Sequence, residues 1–541
     1  MKDRLKRGSV FLVFQSALAF LFFSGITFSS LRLFLTTERY QLNFISSTEV
    51  KTSDSSPAND ISISETVSFP DQVLIFLKYP PSTPFLTKNE FNCVFLSRNT
   101  SVTSSLLSID NEYHDHQIVR CELPPRGMIA SVSLNGQIKL PPGPTHDWKS
   151  LVYEAVIDRD NNNTTVVFVK GLNLRSGKVS NASRFQCVYG SDLTNWKLMV
   201  TSEVVSIAQE IVRCKTPLSI LEENSNSNSR SVKVSVKVKG KGILGSIARP
   251  DFRARHGPLG TTKHKMCVCT MLRNQARFLR EWVTYHSRIG VERWFIYDNN
   301  SNDDIEEVME SLVGQGYKIS RHVWPWIKTQ EAGFAHCALR ARDFCDWVGF
   351  IDVDEFLYLS SGAHLGSVIR NLTESPEVAD LRISCHNFGP SGLKRVPLEG
   401  VTMGYTCRLV LPERHKSIVQ PDKLNPTLIN VVHHFHLKDG FKHVNVDRNL
   451  MVINHYKYQV WEVFKEKFYR RVATYVTDWQ EEENVNSKDR APGLGTQPVE
   501  PVDWSSRFCE INDTGLRDWI IKTFRDPYTG ILPWQQQERV L

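Results

Sequence analysis

No Cys-x-x-Cys pair occurs among the eleven cysteines, no lysine and arginine run interleaved with aromatics follows the extreme N-terminus, and no charge occurs from Val10 to Leu31. The first absence removes the usual zinc-ribbon spacing; Cys267-Val-Cys269 looks like half of a metal site, but it lies in an apolar, strand-like run that suits packed thiols or disulfide partners. The second argues against a nucleic-acid partner, and a net charge of +7 spread over 541 residues agrees. The third describes a membrane span, because an uncharged apolar stretch of about twenty residues crosses a bilayer.

Lys2, Arg4, Lys6 and Arg7 precede that span, and it leaves through Leu33, Phe34 and Leu35 without a small-x-small exit. The expectation is a cytosolic tail (1–9) and an uncleaved signal anchor (10–35), with the rest of the chain lumenal as in a single-pass type II membrane protein. A lumenal chain can use its Asn-x-Ser/Thr sites, which fall at Asn99, Asn162, Asn163, Asn181, Asn299, Asn371 and Asn512. An oxidising lumen also allows disulfides, and an odd number of cysteines leaves at least one unpaired within the chain.

Residues 36–70 are rich in Ser, Thr and Asp and poor in apolar clusters, which reads as a flexible stem. Short β-prone runs separated by turn residues then fill 71–246, an all-β module in which Cys93, Cys121, Cys187 and Cys214 suit two disulfides. A linker (247–264) follows. Over 265–480 the pattern changes to alternating strands and helices: strands at Met266–Met271, Trp294–Tyr297, Tyr317–Val323 and Trp347–Ile351, with helices from Phe278 to Gly290, from Ile305, and over Glu331–Cys345. Such an α/β (Rossmann-like) order places ligands at the carboxyl ends of the strands. Residues 481–541 form a C-terminal extension.

The fourth strand runs straight into Asp352-Val353-Asp354. Two carboxylates spaced by one residue at a strand end share a side, so both can face one hard cation such as Mn²⁺ or Mg²⁺. Such an ion would neutralise the pyrophosphate leaving a nucleotide sugar. A third ligand comes either from His455 or from His433-His434-Phe435-His436, where His434 and His436 would share a strand face. Arg273, Arg277 and Lys416, with Arg414, are candidate diphosphate contacts, Asp298 a candidate nucleoside contact, and Trp324 and Trp326 either a sugar-stacking platform or core. Glu281 can hold a loop by hydrogen bonds. Glu413 and Asp439 are candidate catalytic bases.

The segments Thr270-Met-Leu-Arg-Asn-Gln-Ala-Arg-Phe-Leu-Arg-Glu-Trp282, Ile296-Tyr-Asp-Asn-Asn-Ser301, Phe350-Ile-Asp-Val-Asp-Glu-Phe356, Lys416-Ser-Ile-Val419 and His455-Tyr456 together resemble glycosyltransferase family 92, especially its plant members that include the galactan β-1,4-galactosyltransferases. The resemblance covers about Lys265 to Val476. It implies a GT-A fold, inversion at the anomeric carbon, UDP-galactose with Mn²⁺, a glycan acceptor and a Golgi membrane address. It also assigns Asp352 and Asp354 to metal and donor binding and favours His455 as their companion. By placement alone, the β-rich module resembles a carbohydrate-binding module. The rival reading is a membrane-anchored polysaccharide-binding protein with a relic transferase domain.

Overall fold

The computed structural model describes residues 61–535, apart from 81–82, 113–115, 159–162, 173, 175–177, 223–231, 251–261 and 476–498. The expected cytosolic tail, the anchor at 10–35 and most of the expected stem lie outside the described residues. Among the described residues no helix is long and apolar enough to cross a membrane.

The chain's second half is organised around one nine-stranded sheet. Its strands are β1 (His264–Leu272), β2 (Arg293–Asp298), β3 (Ile319–Val323), β4 (Cys345–Phe350), β5 (Glu355–Leu359), β6 (Val378–Asn387), β7 (His415–Val419), β8 (Lys442–Asn445) and β9 (Met451–His455). They lie in the order β3-β2-β1-β4-β7-β6-β9-β5, with β8 pairing β6 off this path. β3, β2, β1 and β4 are mutually parallel, so their carboxyl ends share one edge. β7 runs antiparallel to β4 and β6, which brings its first residues to that same edge.

Strands buried on both faces read as continuous apolar runs, and Met266, Cys267, Val268 and Cys269 are all fully buried. One face is covered by α1 (Ala276–Ile289), α2 (Ile305–Gly314), α4 (Leu365–Leu372) and α6 (Gly515–Phe524) around Trp282, Ile296 and Phe356. On the other face α3 (Gln330–Ala341) packs together with the N-terminal β region. α1 ends at Gly290, whose φ of 118° is open to glycine alone at low cost. Its first free N–H, that of Ala276, is capped from the β2 loop by Asp303 at 2.8 Å. α3 stops four residues short of the expected Cys345, because Cys345 opens β4 beside β1 and is bonded to Cys267.

The β region comprises three sheets. A five-stranded sheet and a four-stranded sheet are tied by Cys93–Cys121. An eight-stranded sheet follows, in which Cys187 and Cys214 stand on strands two places apart in the strand order. Two strand spacings of a flat sheet are about 9.6 Å; the two Cα atoms are 5.9 Å apart, so this sheet folds over on itself. Ser62–Ser68, expected in the stem, is a strand paired with Gln72–Lys78. Its Ser and Thr content hid the pairing, and its buried Glu65 is paired with Lys233 and bonded to His146.

The described part of the expected C-terminal extension, 499–535, is an integral part of the α/β unit. Cys407–Cys509 ties it to the segment that lies beside the end of β6, α6 joins the core, and Trp504 is buried against Trp461 and Phe464. Trp324 and Trp326 are not a platform. Both are buried, and Trp326 stacks on Trp148 with ring centroids 5.4 Å apart, sealing the β region against the α/β sheet.

Candidate functional site

Asp352 and Asp354 sit in the tight turn between β4 and β5, at the carboxyl edge of the parallel half-sheet. β5 turns back antiparallel to β9, and this register sets Glu355 directly opposite His455. β9 runs parallel to β6 and sets His455 beside Asn387. Three segments far apart in sequence therefore meet at one strand end.

Each aspartate has a cation and an imidazole. Asp352 Oδ2 accepts from Lys416 Nζ at 2.8 Å and lies 3.6 Å from His433 Nε2. Asp354 Oδ2 is bonded to Lys467 Nζ, from α5 (Trp461–Tyr475), and lies 3.6 Å from His455 Nε2. Between them Glu355, fully buried, accepts the Asp352 N–H at 2.9 Å through Oε2 and faces Lys416 Nζ at 2.9 Å and His455 Nδ1 at 3.6 Å through Oε1.

Burial raises the affinity of both aspartates for a proton, but Lys416 and His433 overcome it at Asp352, which is held at about 2. Lys467 and His455 overcome it at Asp354, which stays well below the carboxylate range. Burial, opposed by Lys416 and reinforced by Asp352 and Asp354, pushes Glu355 up to about 7. Burial lowers His455 to about 3, and burial with Lys416 lowers His433 to about 3. At neutral pH the turn presents two carboxylates and two neutral imidazoles, that of His433 already bonded to the Phe350 carbonyl and Lys416 Nζ.

That donor chemistry suits a hard divalent cation. The ammonium groups of Lys416 and Lys467 now stand on the carboxylate oxygens such an ion would share. Among the described residues no three His, Cys, Asp or Glu side chains are gathered closely enough to hold an ion as they stand.

The other expected site residues divide. Lys416 joins the site, but as the partner of Asp352 and Glu355. Glu413 lies on its flank, half-exposed, accepting from Asn387 Nδ2 at 2.6 Å with Lys457 Nζ at 3.4 Å. Arg277 is exposed and paired to Glu466 on α5, and Arg273 is half-buried just beyond β1. Asp298 is buried and occupied. Arg321 donates to it at 2.7 and 3.0 Å, and the same guanidinium reaches Asp110 of the β region, which makes Asp298 a bracing residue. Glu281 holds the turn at Val401 and Thr402 through both backbone N–H groups. Gly400 beside it leaves room that a Cβ would fill, 2.6 Å from that carboxylate.

Of the alternative histidines, His434 is structural, bonded to Ser417 Oγ and the His415 carbonyl, and His436 is exposed. The histidine that reaches the site is their neighbour His433. The strand there has only two residues, His434–Phe435, and Val432 before it has a φ of +55°, which resets the alternation a strand would impose. Lys467 and Glu355 were also missed. A salt bridge from a distant helix leaves no local signal, whereas Glu355 stood next to the Asp-x-Asp pattern. Asn299 is buried and donates to the Trp324 and Trp326 carbonyls, so this sequon is closed, while Asn99, Asn163, Asn181, Asn371 and Asn512 are exposed.

The sequence model of glycosyltransferase family 92 matches residues 262–490. A glycosyltransferase family 92 protein of Ricinus communis is 62% identical over 496 residues, spanning 89% of this chain and 89% of that one. A galactan β-1,4-galactosyltransferase of Arabidopsis thaliana is 32% identical over 106 residues, 18% of this chain and 20% of that one. Among solved structures, the glucosyl-3-phosphoglycerate synthase of Mycobacterium tuberculosis with Mn²⁺, uridine diphosphate and glucosyl-3-phosphoglycerate overlaps 30% of this chain and 58% of that one. Its identity is 15% and its TM-score 0.19, too slight a likeness to carry an argument.

Proposed function

Since the chain belongs to glycosyltransferase family 92, we propose that it is a metal-dependent, inverting GT-A-type transferase that moves galactose from UDP-galactose onto a cell-wall polysaccharide or other glycan acceptor. The observation that carries this reading is His455 standing 3.6 Å from Asp354, in the turn that also holds Asp352 at the carboxyl end of β4, where the β5–β9 register sets the histidine opposite Glu355. The donor sugar rests on the family resemblance and on the printed name of the Arabidopsis relative.

Asp352, Asp354 and His455 are the residues that would hold a divalent cation, whose charge would stabilise the departing diphosphate. Lys416 and Lys467 add positive charge at the same edge, where negative charge develops on the leaving group. On the flank, Glu413 takes the proton of the acceptor hydroxyl as its oxygen bonds to the anomeric carbon and the carbon–diphosphate oxygen bond breaks. Asn387 and Lys457 hold that carboxylate in place. The uncharged N-terminal stretch, the exposed sequons and the five disulfides support a type II Golgi membrane protein with this site in the lumen.

The test is UDP release from UDP-galactose by the full chain in detergent, with and without galactan oligosaccharides. Asp354→Asn and His455→Ala are each expected to lose about a hundredfold or more in turnover, and wild-type-like turnover in both would end the reading. Turnover that survives exhaustive chelation would move the charge-neutralising role to Lys416 and Lys467. Polysaccharide binding without turnover of any donor would favour the relic.

A further inference from the structure

Four side chains of the β region donate to backbone carbonyls of the α/β unit, and the carbonyls they choose are at or near turns with left-handed backbone. Arg120 Nη2 reaches the Ser301 carbonyl at 3.1 Å, beside Asn300 with φ +61°. Lys170 Nζ reaches the carbonyl of Lys328, φ +57°, at 2.9 Å. Arg213 Nε reaches Pro426 at 2.9 Å, and Gln209 Nε2 reaches Asn430 at 2.7 Å, before and between Leu428 and Val432, both at φ +55°. These turns follow β2, follow β3, and lead to His433, so all three rim the carboxyl edge.

The last of them is the most constrained. A β-branched residue in left-handed backbone is a steric outlier that persists only where its surroundings over-determine it. The Gln209 amide grips Asn430 from both sides, donating to its carbonyl and accepting its N–H at 3.2 Å. Asn430 Nδ2 in turn donates to the Glu331 and Leu428 carbonyls. Gln209 itself sits at the tip of a β-hairpin with φ +53°. Beyond the gripped turn, His433 Nδ1 meets the Phe350 carbonyl at 2.9 Å and Nε2 meets Lys416 Nζ at 2.6 Å, beside Asp352.

We propose that the β region is a structural part of the catalytic site, and that Gln209 is a positioning residue that holds the strained 428–432 turn so that His433 is presented to Asp352 and Lys416. This rests on the reading of Asp352 as part of the donor site, and it gives the β region a role separate from any sugar it binds.

The experiment uses the full chain with Gln209→Ala, a half-buried position outside the catalytic machinery, read in two ways. Amide exchange over 428–435 is expected to quicken about tenfold or more on loss of the two hydrogen bonds, with other segments unchanged. Donor KM is expected to rise severalfold with kcat nearly kept, and Gln209→Ala is expected to add nothing in a His433→Ala background, since both act through one imidazole. Unchanged exchange, or full additivity with His433→Ala, overturns the proposal. Exchange decides it even if no donor turns over. Conversely, unchanged exchange with activity lost in Asp354→Asn leaves the transferase reading standing and removes this one.

Discussion

Replacing Lys416 by methionine keeps most of the aliphatic stem and deletes one charge, so it isolates what the ammonium does. It leaves two carboxylates behind. Asp352 retains 31% side-chain exposure, and its lost pairing is screened to about 1 kcal/mol or less. Glu355 has none, and an unpaired charge there belongs with broken buried pairs, which cost roughly 3–5 kcal/mol. Glu355 can escape this cost by keeping a proton. Its folded-state pKa is already raised to about 7, so in the wild type the stability of the protonated form is lost as pH rises through about 7. Without Lys416 that pKa moves higher, and the loss continues at pH values where the wild type has levelled off, by about 1.4 kcal/mol for each further pH unit. At pH 6 both proteins hold Glu355 protonated, and only the Asp352 share of about 1 kcal/mol remains. With roughly 2.1 cal/mol/K of unfolding entropy per residue, a cooperative unit of about 480 residues has about 1 kcal/mol/K, so Tm is expected to fall by about 1 °C at pH 6 and by about 2 °C at pH 8. Differential scanning calorimetry of both proteins without added metal measures this. A loss that is equal at the two pH values, or larger at pH 6, would refute the pairing of Lys416 with Glu355.

Burial raises the Glu281 carboxyl to about 7 against the donors of Val401 and Thr402, so its contribution to stability is present below about 4.5 and lost as pH rises through about 7. Glu281→Gln removes that titration, and the difference between wild-type and variant stability profiles is expected to change by on the order of 3 kcal/mol across this window; parallel profiles in urea melts at pH 5 and 7.5 would contradict it. Trp326→Ala opens the aromatic cluster with Phe69, Phe76, Trp148 and Tyr153 and is expected to cost about 3–5 kcal/mol. Limited proteolysis then distinguishes a shared core from two independent domains, because cleavage between β region and α/β unit should speed up only if this cluster joins them.

What could be read from the sequence followed from local physics. β1, β2 and β4 are buried on both faces and therefore spell unbroken apolar runs, and the polar residues that end them mark the edge where a ligand sits. Composition misled where tertiary partners outweighed it. Ser62–Ser68 is a strand because Gln72–Lys78 lies alongside it, and the Ser and Thr content says nothing of that neighbour. The tryptophans read as platform or core with equal justice, and what settled them was the β region packed on top, whose Trp148 is supplied from a distant segment.

The site itself shows the same boundary more sharply. Asp352 and Asp354 announce themselves by spacing, but the groups that tune them are fixed by register and by helix placement. The pairing of β5 with β9 makes His455 face Glu355, and a shift of that register by one residue would turn the histidine to the opposite face of the sheet. The strained Val432 turns His433 toward Asp352 where strand alternation would have chosen its neighbours. α5 delivers Lys467 across the top. A motif of three residues therefore acquires its charge balance from four other places in the chain, and one of these, the His433 turn, is held by the β region. Substitutions there can alter the chemistry at Asp352 without touching any residue a motif search would mark.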